Sequence, residues 1–172
     1  MRRCIPDARS VGASDLVTGL ENRVKYHNPV SAMSGVTNNL INLVKHTSDF
    51  PPYSEYDNVL STGEQVTSAL LATALEKLGI KARSWQGWQI PIVTDNTYSK
   101  SVIEKIKIDN ISKDLKLNEV AVVSGFQGVS LENRITTLGR GGSDTTAVAM
   151  AAAFSAERCD IYTDVNGVYT TD

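Results

Sequence analysis

Short apolar runs alternate along this 172-residue chain with apolar stripes of helical period, and their order predicts an α/β protein. Between Ser34 and His46, Val36, Leu40, Ile41 and Val44 recur at helical spacing behind the small-residue turn Ser34-Gly35. A stronger helix is expected from Ser61-Thr62-Gly63-Glu64-Gln65 to about Leu78, with Val66, Ala69, Leu70, Thr73, Ala74 and Leu78 as its apolar stripe and Gly79 as its stop. Ile80–Arg83 and Ile90–Val93 read as short strands, and Pro91 suggests an edge or strand-end place for the second. Ser99–Leu117 is charged and lysine-rich, which predicts a surface helix and connection.

Val120-Ala121-Val122-Val123 reads as a buried strand ending at Ser124-Gly125, because an unbroken apolar run has no face left for water. Phe126–Leu138 predicts a hairpin turning at Glu132-Asn133. A small, apolar helix follows over Ala147–Ala156, then a strand at Asp160–Asp164 and a turn through Asn166-Gly167. In Lys25–Val30, Pro29 and its polar neighbours argue against a central strand. Strands alternating with helices imply a three-layer αβα sandwich with a largely parallel sheet. Ligands in such sheets collect outside the carboxyl ends of the strands, so the loops after Val123, at Gly139–Asp144 and at Thr163–Gly167 are the candidates.

Composition narrows the class without naming a chemistry. Apolar residues make up 41% of the chain and charged residues 21%, as in an ordinary globular domain with a real core. A net charge of -2 leaves no nucleic-acid footprint. Cys4 and Cys159 have no metal or redox spacing and are expected to be reduced and buried or inert. With only His27 and His46 available, a histidine metal site or a histidine-based triad is not expected. No apolar run approaches the roughly 20 residues of a spanning helix, and no apolar core follows Arg2, Arg3 and Arg9. The chain therefore reads as soluble and cytoplasmic, with no membrane partner.

The chemistry concentrates in Leu138-Gly139-Arg140-Gly141-Gly142-Ser143-Asp144-Thr145-Thr146. A glycine-rich loop opening a helix presents free N–H groups and the positive end of the helix dipole. Arg140 adds a planar fork for a carboxylate or phosphate. The plainer alternative is a turn in which Ser143 caps the helix and Asp144 complements its dipole; capping requires neither the arginine nor three glycines. No Walker A loop and no G-x-G-x-x-G are present. Thr163-Asp164-Val165-Asn166-Gly167-Val168-Tyr169 can hold a ribose, base and metal-bound phosphate, or be an ordinary turn. Glu64 is either a dipole-favoured first-turn glutamate or the receiver of a substrate ammonium. Ser31, Ser34 and Thr37 are equally good capping residues. Trp85, Trp88 and Phe126-Gln127-Gly128 read as packing or structural segments.

Taken jointly, five segments resemble successive signatures of the aspartate kinases of the amino-acid kinase superfamily. They are Ser31-Ala32-Met33-Ser34-Gly35-Val36-Thr37, Leu60-Ser61-Thr62-Gly63-Glu64-Gln65, Gly125-Phe126-Gln127-Gly128, Thr136–Thr146 and Ile161–Asp172. The resemblance implies ATP-dependent phosphorylation of the L-aspartate β-carboxylate, with Mg²⁺, on the route to lysine, threonine and methionine. It implies Arg140 on the substrate α-carboxylate with Ser143 nearby, and Glu64 on the ammonium. Ser31 and Thr37 would line the aspartate and γ-phosphate side, and Thr163, Asp164, Gly167 and Tyr169 would hold the nucleotide. Asp144 would orient the family's catalytic lysines. Since the substrate carboxylate attacks phosphorus directly, catalysis is positioning plus charge stabilisation.

Against that pattern, residues 1–29 read as a degenerate N-terminal segment and 30–172 as a partial amino-acid kinase domain. The family opens on Lys-Phe-Gly-Gly-Thr-Ser-Val-Gly; Ser10-Val11-Gly12 fits its end, whereas Ile5 occupies the lysine position. The family also continues beyond the equivalent of Asp172 with a further lysine segment and regulatory ACT domains. The expectation is little or no turnover by this chain alone, and dependence on a homo-oligomer or complementing chain. The competing expectation is a non-catalytic remnant that binds nucleotide, aspartate or a partner subunit; a different amino-acid kinase suits Arg140 and Glu64 less well.

Overall fold

The computed structural model describes residues 27–116 and 120–162. The predicted segment 163–167, with Thr163, Asp164, Gly167 and Tyr169, lies outside them, as do Ile5, Ser10–Gly12, Cys4 and the first residues of Lys25–Val30. The strands are β1 (His27–Val30), β2 (Ala82–Trp85), β3 (Ile92–Thr94), β4 (Ile103–Ile106), β5 (Val120–Ser124), β6 (Gln127–Ser130) and β7 (Ile135–Thr137). The helices are α1 (Val36–Thr47), α2 (Tyr53–Leu60), α3 (Thr62–Lys77), α4 (Asp109–Lys116) and α5 (Gly142–Ala153). None of the described helices is long and apolar enough to cross a membrane.

Two sheets share the chain. The first has the order β1-β5-β2 with both pairings parallel. The second has the order β4-β3-β6-β7; its β3–β6 pair is parallel, while the short connections β3–β4 and β6–β7 make antiparallel pairs. β5 is the buried spine, with all five residues covered. Alternation sends Val120 and Val122 toward α3, where they pack with Val30, Leu71, Ala72 and Leu75. Ala121 and Val123 face the other way, onto Ile111 of α4 and Met150 of α5. Helices therefore cover both faces of the parallel sheet, which gives the expected α/β layering.

Several sequence expectations shift. The Phe126–Leu138 hairpin, the β5 spine and the Ser34–His46 helix form where expected. Lys25–Val30 ends in strand β1, at the edge of the described sheet, where Pro29 is tolerated. The run 99–117 holds strand β4 as well as a helix, because Ile103 and Ile106 pair with β3. β3 lies between β4 and β6 rather than at an edge, and Pro91 precedes its first residue.

Of the predicted strand Asp160–Asp164, the described part Asp160–Tyr162 forms no strand; Ile161 and Tyr162 are exposed and pair with no strand among the described residues, and a strand needs a neighbour to pair its backbone. Cys159 is exposed rather than buried. The clearest reversal concerns α3. Its buried face is Gly63, Glu64, Thr67, Ser68, Leu71, Ala72 and Leu75, so Val66, Leu70 and Leu78 of the predicted stripe face outward. α3 is apolar on several sides, and the sheet selects the side whose small and hydroxyl residues pack closely; Ser68 Oγ meets Ser124 Oγ at 2.8 Å.

The end of α3 follows from its sequence. Gly79 adopts φ 78°, Gly79 N donates to Glu76 O and Ile80 N to Leu75 O, each at 3.0 Å. That pattern satisfies two terminal carbonyls and needs a residue comfortable in the left-handed region.

Candidate active site

Parallel pairing brings the carboxyl ends of β1 and β5 to one edge of the sheet, and Gly125 N donates to Val30 O at 3.0 Å to join the two exits. Three further segments converge there. The first turn of α3 arrives through Gly63, whose position leaves no room for a side chain: a Cβ would stand 2.9 Å from Ala32 Cβ. The start of α5 arrives through Ser143, which touches Gly125 so closely that a Cβ on Gly125 would lie 3.0 Å from Ser143 Cα, Cβ and Oγ. The third is the β1–α1 turn, where Gly35 takes φ 77°.

Glu64 is the electrostatic centre of this cluster. It is 4% exposed; Oε1 accepts the Ala32 N–H at 3.1 Å, while Oε2 is buried with no hydrogen-bond partner among the described residues. Burial pushes its carboxyl up to about 7, against the opposing pull of the Ala32 amide and its own amide. A half-satisfied buried carboxylate is unfavourable unless a cation completes it. The Glu64 backbone carbonyl accepts Ser124 Oγ at 3.3 Å, and Ser124 Oγ also donates to Gln86 Oε1 at 2.6 Å, so the helix start is tied to the ends of β5 and β2.

The glycine loop connects β7 to α5. Gly139 and Gly141 take φ 78° and 67°, which only glycine adopts without strain, and Gly141 rather than Ser143 stands at the helix N-cap. Ser143 makes no capping bond and its half-buried side chain packs on Gly125 instead, so its capping role does not hold, whereas Asp144 does lie in the first turn, where it complements the dipole. Gly142 is fixed by contact: a Cβ there would lie 2.7 Å from Phe126 Cδ2. Phe126 itself holds φ 65° and is anchored by Phe126 N to Thr146 Oγ1 at 3.1 Å and Leu138 N to Phe126 O at 2.9 Å. The first turn of α5 thus faces the sheet's carboxyl edge with exposed Arg140 and Asp144 on its loop side.

Of the predicted residues, Ser31, Thr37, Glu64, Arg140, Ser143 and Asp144 lie on the segments that border this edge. Ser31 is exposed and Thr37 half-buried in the first turn of α1. Among the described residues, no group of three or more His, Cys, Asp or Glu side chains is placed to hold a metal ion. Gln127, expected to be structural, is 1% exposed and donates from Nε2 to Ser61 O at 3.0 Å, so it holds the α2–α3 junction to β6. Sequence reasoning missed one support. Asp57 in α2 is fully buried, and no pattern in Tyr53–Leu60 distinguishes it from its exposed neighbour Glu55.

Known proteins resemble the chain in sequence and in fold. The chain is 53% identical over 146 residues to an aspartokinase of Rickettsia conorii, covering 83% of this chain and 36% of that protein. The crystal structure of aspartate kinase from Synechocystis superposes with a TM-score of 0.77 at 41% identity, covering 95% of this chain and 27% of that one. Aspartokinase III of E. coli, solved in complex with lysine and aspartate, matches with a TM-score of 0.64 at 25% identity over 96% of this chain and 34% of its own. The chain thus spans about a third of the length of the curated relative. The profile described as the amino acid kinase family matches residues 11–172, and with the fold and glycine-loop geometry above it places this chain in that family.

Proposed function

We propose that the chain carries the substrate-binding part of an aspartate kinase, which phosphorylates the β-carboxylate of L-aspartate with ATP. The observation that carries this reading is the buried, half-satisfied carboxylate of Glu64, tied through Ser124 to the end of β5, where Gly125 meets Ser143 of the segment that follows Arg140. An α-amino acid offers an ammonium to Glu64 and a carboxylate to Arg140, and the two groups are joined through one carbon. Aspartate in the E. coli aspartokinase III complex and the identity to the Rickettsia aspartokinase support the same substrate.

In this reading Glu64 takes the ammonium on Oε2, Arg140 clamps the α-carboxylate with Ser143 beside it, and the β-carboxylate is left pointing toward the phosphates. Ser31 and Thr37 line that side, and the free N–H groups at the start of α5 stabilise negative charge in front of them. Asp144, in the first turn of the helix, orients the lysine groups that the family brings to the phosphates. Thr163, Asp164, Gly167 and Tyr169 hold the nucleotide, which brings Mg²⁺ on its phosphates; the ion supplies charge neutralisation as the phosphoryl group transfers. Chemistry is transfer to a carboxylate already fixed in line, so the protein's task is geometry. The same reading places the chain in the cytoplasm and in an assembly with further copies or a complementing chain.

Calorimetric titration of the purified chain with L-aspartate and Mg-ATP, beside a coupled ADP-release assay, tests this. Saturable aspartate binding supports the reading, and its absence refutes it. Binding without turnover is expected, because Ile5 stands where the family has its phosphate lysine; turnover near ~1–10³ s⁻¹ would contradict that part.

A further inference from the structure

The largest feature not used above is the Asp57 carboxylate. It is 0% exposed, and both oxygens are filled by donors from two distant segments. Ser99 N lies 3.1 Å from Oδ1 and 2.9 Å from Oδ2, Thr137 N donates to Oδ2 at 2.8 Å, and Thr137 Oγ1 donates to Oδ1 at 2.8 Å. Every partner is a donor, as an ionised carboxylate requires. Burial raises its pKa against the lowering effect of these bonds.

Each partner leads to the substrate site. Thr137 is the last residue of β7, three positions before Arg140, and its carbonyl accepts Ser101 N at 2.9 Å. Ser99 holds φ 66°, and its carbonyl abuts the glycine loop, where a Cβ on Gly139 would stand 3.2 Å from Ser99 O. On the other side, Asp57 accepts Ser61 N at its carbonyl, 3.0 Å away, and Ser61 accepts Gln65 N at 3.4 Å, so α2 runs almost without a break into the turn of α3 that carries Glu64.

We infer that Asp57 is a positioning residue for the substrate site, setting the distance between the Glu64 carboxylate and the Gly139–Gly142 loop that bears Arg140. Its two oxygens clamp the root of that loop to the helix pair that presents Glu64, without reaching the ligand. The inference rests on the aspartate-binding reading, and it adds specificity: the span between ammonium and carboxylate receivers selects an α-amino acid. Ser99 and Thr137 both border the glycine loop that bears Arg140, so loss of Asp57 is expected to act on the aspartate side of the site.

The test compares Asp57→Ala with Asp57→Asn in the purified chain. Alanine removes the acceptor for two backbone N–H groups. Asparagine keeps one oxygen for the Ser99 and Thr137 amides and can donate to Thr137 Oγ1. D57A is expected to weaken L-aspartate by on the order of 10- to 100-fold with Mg-ATP affinity within about twofold, and D57N to restore aspartate binding to within about threefold. A loss of both ligands together, no loss at all, or no rescue by asparagine overturns the inference. Should D57A lack a cooperative unfolding transition, Thr137→Val, which removes one of the hydrogen bonds, must weaken aspartate alone by about threefold or more; an unchanged aspartate affinity overturns it. Wild-type chain that binds no aspartate refutes the underlying reading, whereas wild-type binding with variants unaffected refutes only the role of Asp57.

Discussion

The Glu64 carboxylate accepts the Ala32 N–H at 3.1 Å through one oxygen and buries the other with no hydrogen-bond partner among the described residues. The first turn of a helix and the exit of a strand thereby meet around a buried carboxylate oxygen. Its cost falls on the protein without ligand, since burial lifts the carboxyl from its ordinary range to about 7.

The sign of the pH dependence follows. A carboxyl whose folded pKa is raised contributes most to stability below its unfolded value and loses it as the folded form must ionise. The ligand-free chain should therefore lose stability from about pH 4.5 to 7, by up to about 3 kcal/mol if the whole shift is expressed. Glu64→Gln should flatten that slope, as read by urea midpoints across the range.

Ligand binding should act in the opposite sense. An ammonium on Oε2 favours the ionised form, so near pH 6.5–7 aspartate binding should release protons. Calorimetry in buffers of differing ionisation enthalpy reads the release directly, and E64Q should abolish it together with most of the affinity.

Arg140 is exposed on its loop and is not part of the core. Arg140→Ala should leave the melting temperature within about 1–2 °C, consistent with a surface change of under about 0.5 kcal/mol. Aspartate affinity should fall by on the order of 10- to 100-fold, and Arg140→Lys should recover only part of it, because a lysine lacks the bidentate fork. Thermal melts with parallel titrations separate the two effects.

Gly142 faces the ring of Phe126 and Leu138 Cβ, at 2.7 and 3.0 Å from where a Cβ would be. Gly142→Ala should destabilise by about 1–3 kcal/mol through overpacking. It should also weaken aspartate, since relief requires α5 or the β5–β6 connection to move. Denaturant titration and calorimetry on the same preparation check both.

Ser155 closes α5 in the left-handed region at φ 51°, with Ser155 N to Ala152 O at 3.1 Å and Ala156 N to Ala151 O at 2.9 Å. Glycine has no Cβ penalty there, so Ser155→Gly should stabilise by about 0.5–1 kcal/mol without touching ligand affinity. A fall in the unfolding midpoint would contradict this.

Local pattern carried much of the architecture. The β5 run has no polar face, so it could only be a central, doubly covered strand; Gly79 could only close α3; and the glycines before α5 announced a helix start with space in front of it. The motifs from Ser31 to Thr146 likewise named the segments that border the sheet's carboxyl edge before their contacts were known.

What sequence alone could not decide is which side of an ambiguous helix the sheet would cover, and which acidic residue would be sealed away. α3 offers apolar residues on several faces, and only close packing against β5 and β2 turned Leu71, Ala72 and Leu75 inward while leaving Val66 and Leu70 outside. Asp57 and Glu55 are two residues apart on α2, yet one is fully buried and the other lies in an exposed pair with Arg134. The periodicity of a chain constrains spacing along an element, whereas desolvation and the pairing of donors from Ser99, Thr137 and Ala32 depend on segments remote in sequence. The sequence by itself determined the order of elements and the chemical groups available; tertiary packing alone decided which of those groups became buried and which were left half-satisfied.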